Sequence, residues 1–363
     1  MSVNVQKTKS VGLVSLFLIS LFMAMVSTTP TVMAINDTSS GTLTGTETWT
    51  GVMNLDGDLL VAGGAKLIIN GNTVVNIPAN KSISVEGSIC AGDSSCGASG
   101  SGPIRFVWAS PGATDPNQTG SCYVTGIFNP DVSCGSGIYL SPTIDQSLTK
   151  LNQISLEGAY GIPIDIDGQG SYKYGALIFD GASLSVTNPT FSDINTTNIL
   201  AINGASPTID GGTFEVGVDE QGYRGSAILA YGAGAGSVVM QILNADFTGE
   251  EESECGSQSG GRSAIYLEDS YVNMDRISIT QNSYGAFLRS SSGLLTNSTV
   301  TTKCNAIDTN SHLVANGQNY TFVISDNEIT PTDGAGITAY DGAIVVAERN
   351  TISGAAQGSG FAI

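Results

Sequence analysis

The chain has 363 residues and a formal charge of −19; only 12% of its residues are charged, whereas it holds 46 Gly, 43 Ser and 34 Thr. This composition excludes a coiled coil or helical bundle, which depends on Ala, Glu, Lys, Leu and Arg, and the 41% hydrophobic content excludes a disordered acidic chain. The acidic balance excludes nucleic acid as a partner and repels uronic-acid polymers unless cations bridge the two, which leaves a turn-rich all-β protein.

Residues 1–34 read as a secretory signal: Lys7 and Lys9 precede an uncharged apolar stretch from Val11 to Val26, followed by Pro30 and the small-residue site Val32-Met33-Ala34. The other reading is an uncleaved anchor, although the apolar run is shorter than the ~20 residues a spanning helix needs. Membrane attachment is left open; the address is secreted or cell-surface in either case. Six cysteines suit such a compartment. Local pairing of Cys90 with Cys96 and of Cys122 with Cys134 is the economical expectation, which leaves Cys255 for Cys304. Residues 35–136 form an N-terminal region ending in a Gly/Pro/Cys-rich loop, and residues 137–363 carry the clearest repeats.

A small residue followed by an apolar one recurs at Gly137-Ile138, Gly161-Ile162, Ala176-Leu177, Ala201-Ile202, Ala227-Ile228, Ala264-Ile265, Ala286-Phe287, Ala306-Ile307, Gly336-Ile337 and Gly360-Phe361. Most intervals fall in the low-to-middle twenties; the short step from Ile162 to Leu177 means that one of those two belongs to a different strand. A second column runs out of phase, through Asn188-Pro-Thr-Phe191, Asp210-Gly-Gly-Thr-Phe214, Asn244-Ala-Asp-Phe247, Asn297-Ser-Thr-Val300, Asn327-Glu-Ile329 and Asn350-Thr-Ile352. Turn dipeptides such as Asp180-Gly181 and Asn203-Gly204 separate the columns. Several short strands per twenty-odd residues, without hairpin alternation, predict a solenoid whose coils stack in parallel.

The same spacing continues upstream through Leu59-Leu-Val61, Ile83-Ser-Val85 and Ile104-Arg-Phe106. Over nearly its whole length the chain resembles the right-handed parallel β-helix superfamily, the pectate-lyase-like fold, as found in secreted and surface repeat proteins. The resemblance implies an all-β fold, a single solenoid of about 20–26 residues per coil. It does not imply an activity. Inward positions are expected at Ile138/Leu140, Ile162/Ile164, Leu177/Phe179, Ile265/Leu267 and Ile337/Ala339. Arg289 would interrupt that stack two residues after Phe287, and a bend of the strand is the favoured explanation.

Outward positions of the same strands give Tyr139, Asp165, Asp180, Tyr231, Tyr266, Glu268, Asp308, Asn310 and Tyr340. Aromatic rings among carboxylates and amides suit a polysaccharide or cell-surface glycan, so Tyr231, Tyr266, Glu268, Asp308 and Tyr340 are the candidate binding residues. Glu268 and Asp308, two coils apart, fall near the separation an inverting glycosidase uses, with Arg289 as a neighbouring base for a lyase. Against catalysis, the Asn-Thr-Asp, Asp-Asp and Gly-His-Gly signatures of polygalacturonase-like hydrolases are missing, as are the Trp-Ile-Asp-His and Arg-X-Pro-X-X-Arg motifs of pectate-lyase-like enzymes. The expectation is therefore a non-catalytic adhesive or carbohydrate-contacting scaffold, with a polysaccharide lyase or glycoside hydrolase as the alternative. No cofactor is expected, with one exception: Glu250, Glu251, Glu252 and Glu254 in the loop 249–262 have the chemistry for calcium, although a solvated acidic loop explains them as well. The final Gly358-Ser-Gly-Phe-Ala-Ile363 resembles the opening of another coil, which predicts that the solenoid continues past residue 363.

Overall fold

The computed structural model describes residues 38–109, 136–166, 172–194, 196–216, 226–234, 238–249, 255, 263–310 and 320–354. Over the repeats each coil contributes three short strands. One coil runs Met240–Leu243, Asp246–Gly249 and Ser263–Glu268, and the next runs Tyr271–Asp275, Ser278–Asn282 and Tyr284–Arg289. Corresponding strands pair in parallel, with Ile242 opposite Met274, Phe247 opposite Ile279 and Ile265 opposite Ala286. The result is a three-sided solenoid, whose sides are called faces 1, 2 and 3 in that order. Face 1 has eleven strands among the described residues.

Alternation along each strand sends every second side chain inward. On face 2 the inward side chains Phe191, Phe214 and Phe247 are fully or almost fully buried, and their rings stack at 5.2 and 4.8 Å. On face 3 the inward pairs include Ile199/Ala201, Ile228/Ala230, Ile265/Leu267 and Ala286/Leu288. Parallel pairing from coil to coil joins these residues into one continuous core.

Corners need left-handed backbone, and mostly glycine or amide residues supply it, with Arg276 as an exception. Between faces 1 and 2 the corner positions with positive φ include Asn188, Gly211, Asn244, Arg276 and Asn297. Side chains beside this corner bond from coil to coil: Asn244 Nδ2 donates to Asp210 Oδ1 at 2.6 Å, and Arg276 Nε donates to Asn244 Oδ1 at 2.7 Å. One residue further on, a buried ladder satisfies the turning backbone. Ile277 N donates to Ser298 Oγ, Ser298 N to Asn327 Oδ1, and Asn327 N to Asn350 Oδ1.

The structure corrects three sequence expectations. First, Ile162 and Ile164 are not in the core stack. The strand Ile162–Asp165 pairs antiparallel with Tyr172–Asp180, and it is the different strand that the short interval required. With Ile166, these residues pack as an arm over outward Ile178, Leu200, Ile202 and Leu229. Second, Ile202 and Phe287 point outward, because the inward partners on their coils are Ala201 and Ala286. The small residue of each pair is the inward one, so the pattern slips by one position; Ile202 is nevertheless buried, under the arm. Third, Arg289 interrupts nothing and no bend accommodates it: one residue out of the assumed register, it lies outward between Glu268 and Asn310. Of the expected inward pair Ile337/Ala339, Ile337 is buried, whereas Ala339, on the last described coil of face 3, is exposed.

Disulfides join Cys90 to Cys96 and Cys255 to Cys304. The first closes a three-residue helical turn, Ser94–Cys96, with Asp93 capping it through Ser95 N. Cys122, Cys134 and the four loop glutamates lie outside the described residues. Among the described residues no helix is long and apolar enough to cross a membrane.

Candidate functional site

The outward surface of face 3 carries two in-register columns. The first runs through Tyr139, Ile178, Leu200, Leu229, Tyr266, Phe287, Asp308 and Thr338; the second runs through Asp180, Ile202, Tyr231, Glu268, Arg289, Asn310 and Tyr340. All the outward residues expected from the sequence stand on these columns except Asp165, which the antiparallel arm carries away. The arm covers the apolar first half of the surface, so the polar and aromatic part begins at Tyr231 and ends at Tyr340.

Within that part the side chains are engaged with one another. Glu268 Oε1 lies 3.3 Å from Arg289 Nη1, and Glu268 Oε2 accepts a 2.9 Å hydrogen bond from the Tyr266 hydroxyl. Burial, reinforced by the Glu268 charge, pushes the Tyr266 phenol up to about 12. The Tyr266 ring stacks on Phe287 with centroids 5.2 Å apart and planes 19° apart. Rings stacked along the column cover each other, so the face of Tyr266 toward Phe287 is closed to a pyranose. Tyr340 is 49% exposed. At the far end of the surface Tyr139 donates to Asp180 Oδ2 at 2.5 Å, and burial raises its phenol far above the ordinary value.

Asp308 is the buried member of the set, at 3% exposure. Its Oδ1 accepts from Asn305 Nδ2 at 2.9 Å and from the Thr338 hydroxyl of the next coil. Burial raises its carboxyl above the usual range, against the lowering effect of these two donors. Asn310 Oδ1 is buried with no hydrogen-bond partner among the described residues. Glu268 and Asp308 therefore share a face but not an environment: one is ion-paired, the other is buried among neutral donors. Among the described residues no three His, Cys, Asp or Glu side chains are grouped to hold a metal ion.

Sequence reasoning missed Phe287, Asn305 and Thr338. Phe287 was hidden by the register slip, and strict alternation from Leu288 would have turned it outward. Asn305 lies before its strand, and only the coil-to-coil register puts Thr338 beside Asp308.

No curated protein and no solved structure matches the chain. Residues 221–363 match the family model described as a right handed beta helix region, and because the earlier coils follow the same three-strand course, the fold is a right-handed parallel β-helix.

Proposed function

We propose that the protein is a secreted or cell-surface β-helix scaffold that contacts carbohydrate and does not cleave it. The observation that carries this reading is the engagement of both candidate carboxylates. Glu268 is held by Arg289 and Tyr266, and Asp308 is buried on Asn305 and Thr338. A general acid and base pair must reach a glycosidic oxygen and a water on opposite sides of a sugar; these groups instead bond the coils together. Two disulfides, one closing 49 residues of sequence separation, support an oxidising compartment.

The alternative, a polysaccharide lyase or glycoside hydrolase, draws support from Asp308 itself, because a carboxyl raised by burial is the state of a general acid. Reducing-end release separates the two. Purified protein is incubated with neutral and anionic polysaccharides, with and without calcium, and binding is followed in parallel by retardation in polysaccharide-containing gels. Retardation without release supports the scaffold. Release that disappears in Asp308→Asn and Glu268→Gln overturns it.

A further inference from the structure

From the coil of Ser155 onward, face 2 differs from the other two sides in what it shows to solvent; upstream of it the outward positions include Val52, Val74 and Val107. Face 1 presents Leu294, Val323 and Val346 among its outward residues, and face 3 presents Tyr231, Tyr266 and Phe287. On face 2 the outward residues form two columns, one from Ser155 to Thr351 and the other from Glu157 to Ser353. Across these eight coils every position of the two columns is Ser, Thr, Asp or Glu; Gln281, exposed where the register shifts in the strand Ser278–Asn282, stands outside them. Strand propensity alone does not give this result, because exposed strand positions also favour Val, Ile and Tyr.

The geometry is regular. Coils repeat at ~4.8 Å and the two columns stand about 6.7 Å apart, so the lattice extends over roughly 34 Å. The inward Phe191, Phe214 and Phe247 stack beneath it and keep the strands in step. At the corner with face 1 the same coils enclose an open groove of about 490 Å³, whose lining includes Asn188, Asp210, Thr213, Asn244 and Asp246. The cation one coil upstream of the columns, Arg105, is taken up by Glu157 through bonds of 2.8 and 2.6 Å.

We propose that face 2 is a hydrogen-bonding track for a linear neutral polysaccharide lying along the solenoid axis. A threonine hydroxyl both donates and accepts, a carboxylate accepts, and sugar hydroxyls do both, so a polyol chain can meet a partner at every coil. The exposed carboxylates Glu215, Asp246 and Glu328 turn away polyanions and leave neutral polymers as the matching class. The inference rests on the carbohydrate-contacting reading and moves the contact from face 3 to face 2.

The test uses the full chain, with hydroxyethyl cellulose, galactomannan and polygalacturonate as probes in affinity electrophoresis. The double variant Thr280→Val, Thr301→Val removes two hydroxyls while keeping strand-compatible shapes; Tyr266→Ala is the matching change on face 3. We expect retardation by a neutral polymer and not by polygalacturonate, weakened about tenfold in the double variant and unchanged in Tyr266→Ala. A second double variant, Thr248→Val, Thr330→Val, should behave as the first. Neutral-polymer binding that survives both double variants overturns the track, and its loss in Tyr266→Ala would return the contact to face 3. Binding of polygalacturonate alone overturns the track but leaves a carbohydrate-contacting scaffold. Wild-type protein that binds none of the three overturns both.

Discussion

Arg289 stands in register with Glu268 of the preceding coil, and its Nη1 lies 3.3 Å from Glu268 Oε1. Their side chains are only 30% and 17% exposed, so the pair is better shielded than a surface ion pair. Arg289→Ala leaves a half-buried carboxylate without its cation, and the expected loss is about 1–2 kcal/mol. Glu268→Gln should cost less, because the amide oxygen still accepts from Tyr266. Denaturant unfolding of the two variants checks the order, and added salt should narrow the gap between wild type and Arg289→Ala. Equal stabilities would show that the pair contributes nothing net.

Asn327 ties three coils together from a buried position at the corner. At 3% exposure it accepts from Ser298 N and donates to Leu295 O at 3.0 Å and to Asn350 Oδ1 at 2.9 Å. Asn327→Ala strands a buried backbone N–H and a buried carbonyl, and the expected cost is about 2–4 kcal/mol. Asn327→Asp keeps the acceptor but loses the donors and adds a buried charge, so it should be at least as damaging at neutral pH. Urea unfolding midpoints of both variants decide the point; an alanine variant as stable as wild type would mean that the ladder is replaceable by packing.

The stacked-coil architecture was legible because its causes are local and repeated. Inward Ile, Leu and Phe alternate with polar residues, and Asn-Gly or Asp-Gly turns recur between them. What escaped was register. Ala286-Phe287 and Ala201-Ile202 fit the repeat with the wrong member inward: the small residue packs inside, while Ile202 faces out under the covering arm and Phe287 faces out against Tyr266. The corner at Arg276 was missed for a similar reason: its positive φ is carried by a residue type that does not advertise it. The candidate site was legible as a face and illegible as a set of contacts. Tyr266, Glu268 and Arg289 come together only through coil-to-coil pairing, and no single repeat contains that information.

The two disulfides should contribute unequally. Closing a sequence separation of 49 residues removes more freedom from the unfolded chain than closing one of 6. The chain-entropy relation gives about 4 kcal/mol for the first and about 2 for the second. Cys255 is exposed, so Cys255→Ala tests the crosslink with little loss of packing. Its unfolding midpoint should fall further than that of Cys96→Ala. The reverse order would mean that the turn capped by Asp93, rather than chain entropy, dominates the energetics of these links.

Asp308 sets a pH dependence whose sign is opposite to that of Asp275 and Asp326. Asp275 and Asp326 are lowered chiefly by hydrogen bonds from Asn297 and from Arg349 respectively, so their contributions are lost as pH falls. Asp308 is raised by burial, and its folded state therefore holds a proton that the unfolded state has released. Its contribution is greatest below the unfolded value of 3.8 and is lost as pH rises toward the folded value. Asp308→Asn removes the ionisation and keeps an oxygen to accept from Asn305 and Thr338. The variant should therefore gain stability relative to wild type as pH rises through that window, with the gain levelling off once wild-type Asp308 is ionised. Urea midpoints of both proteins between pH 3 and pH 8 measure the difference, and taking the difference cancels the other carboxylates. A constant offset across the range would mean that Asp308 titrates alike in the folded and unfolded chains. A gain at acid pH would reverse the assigned sign.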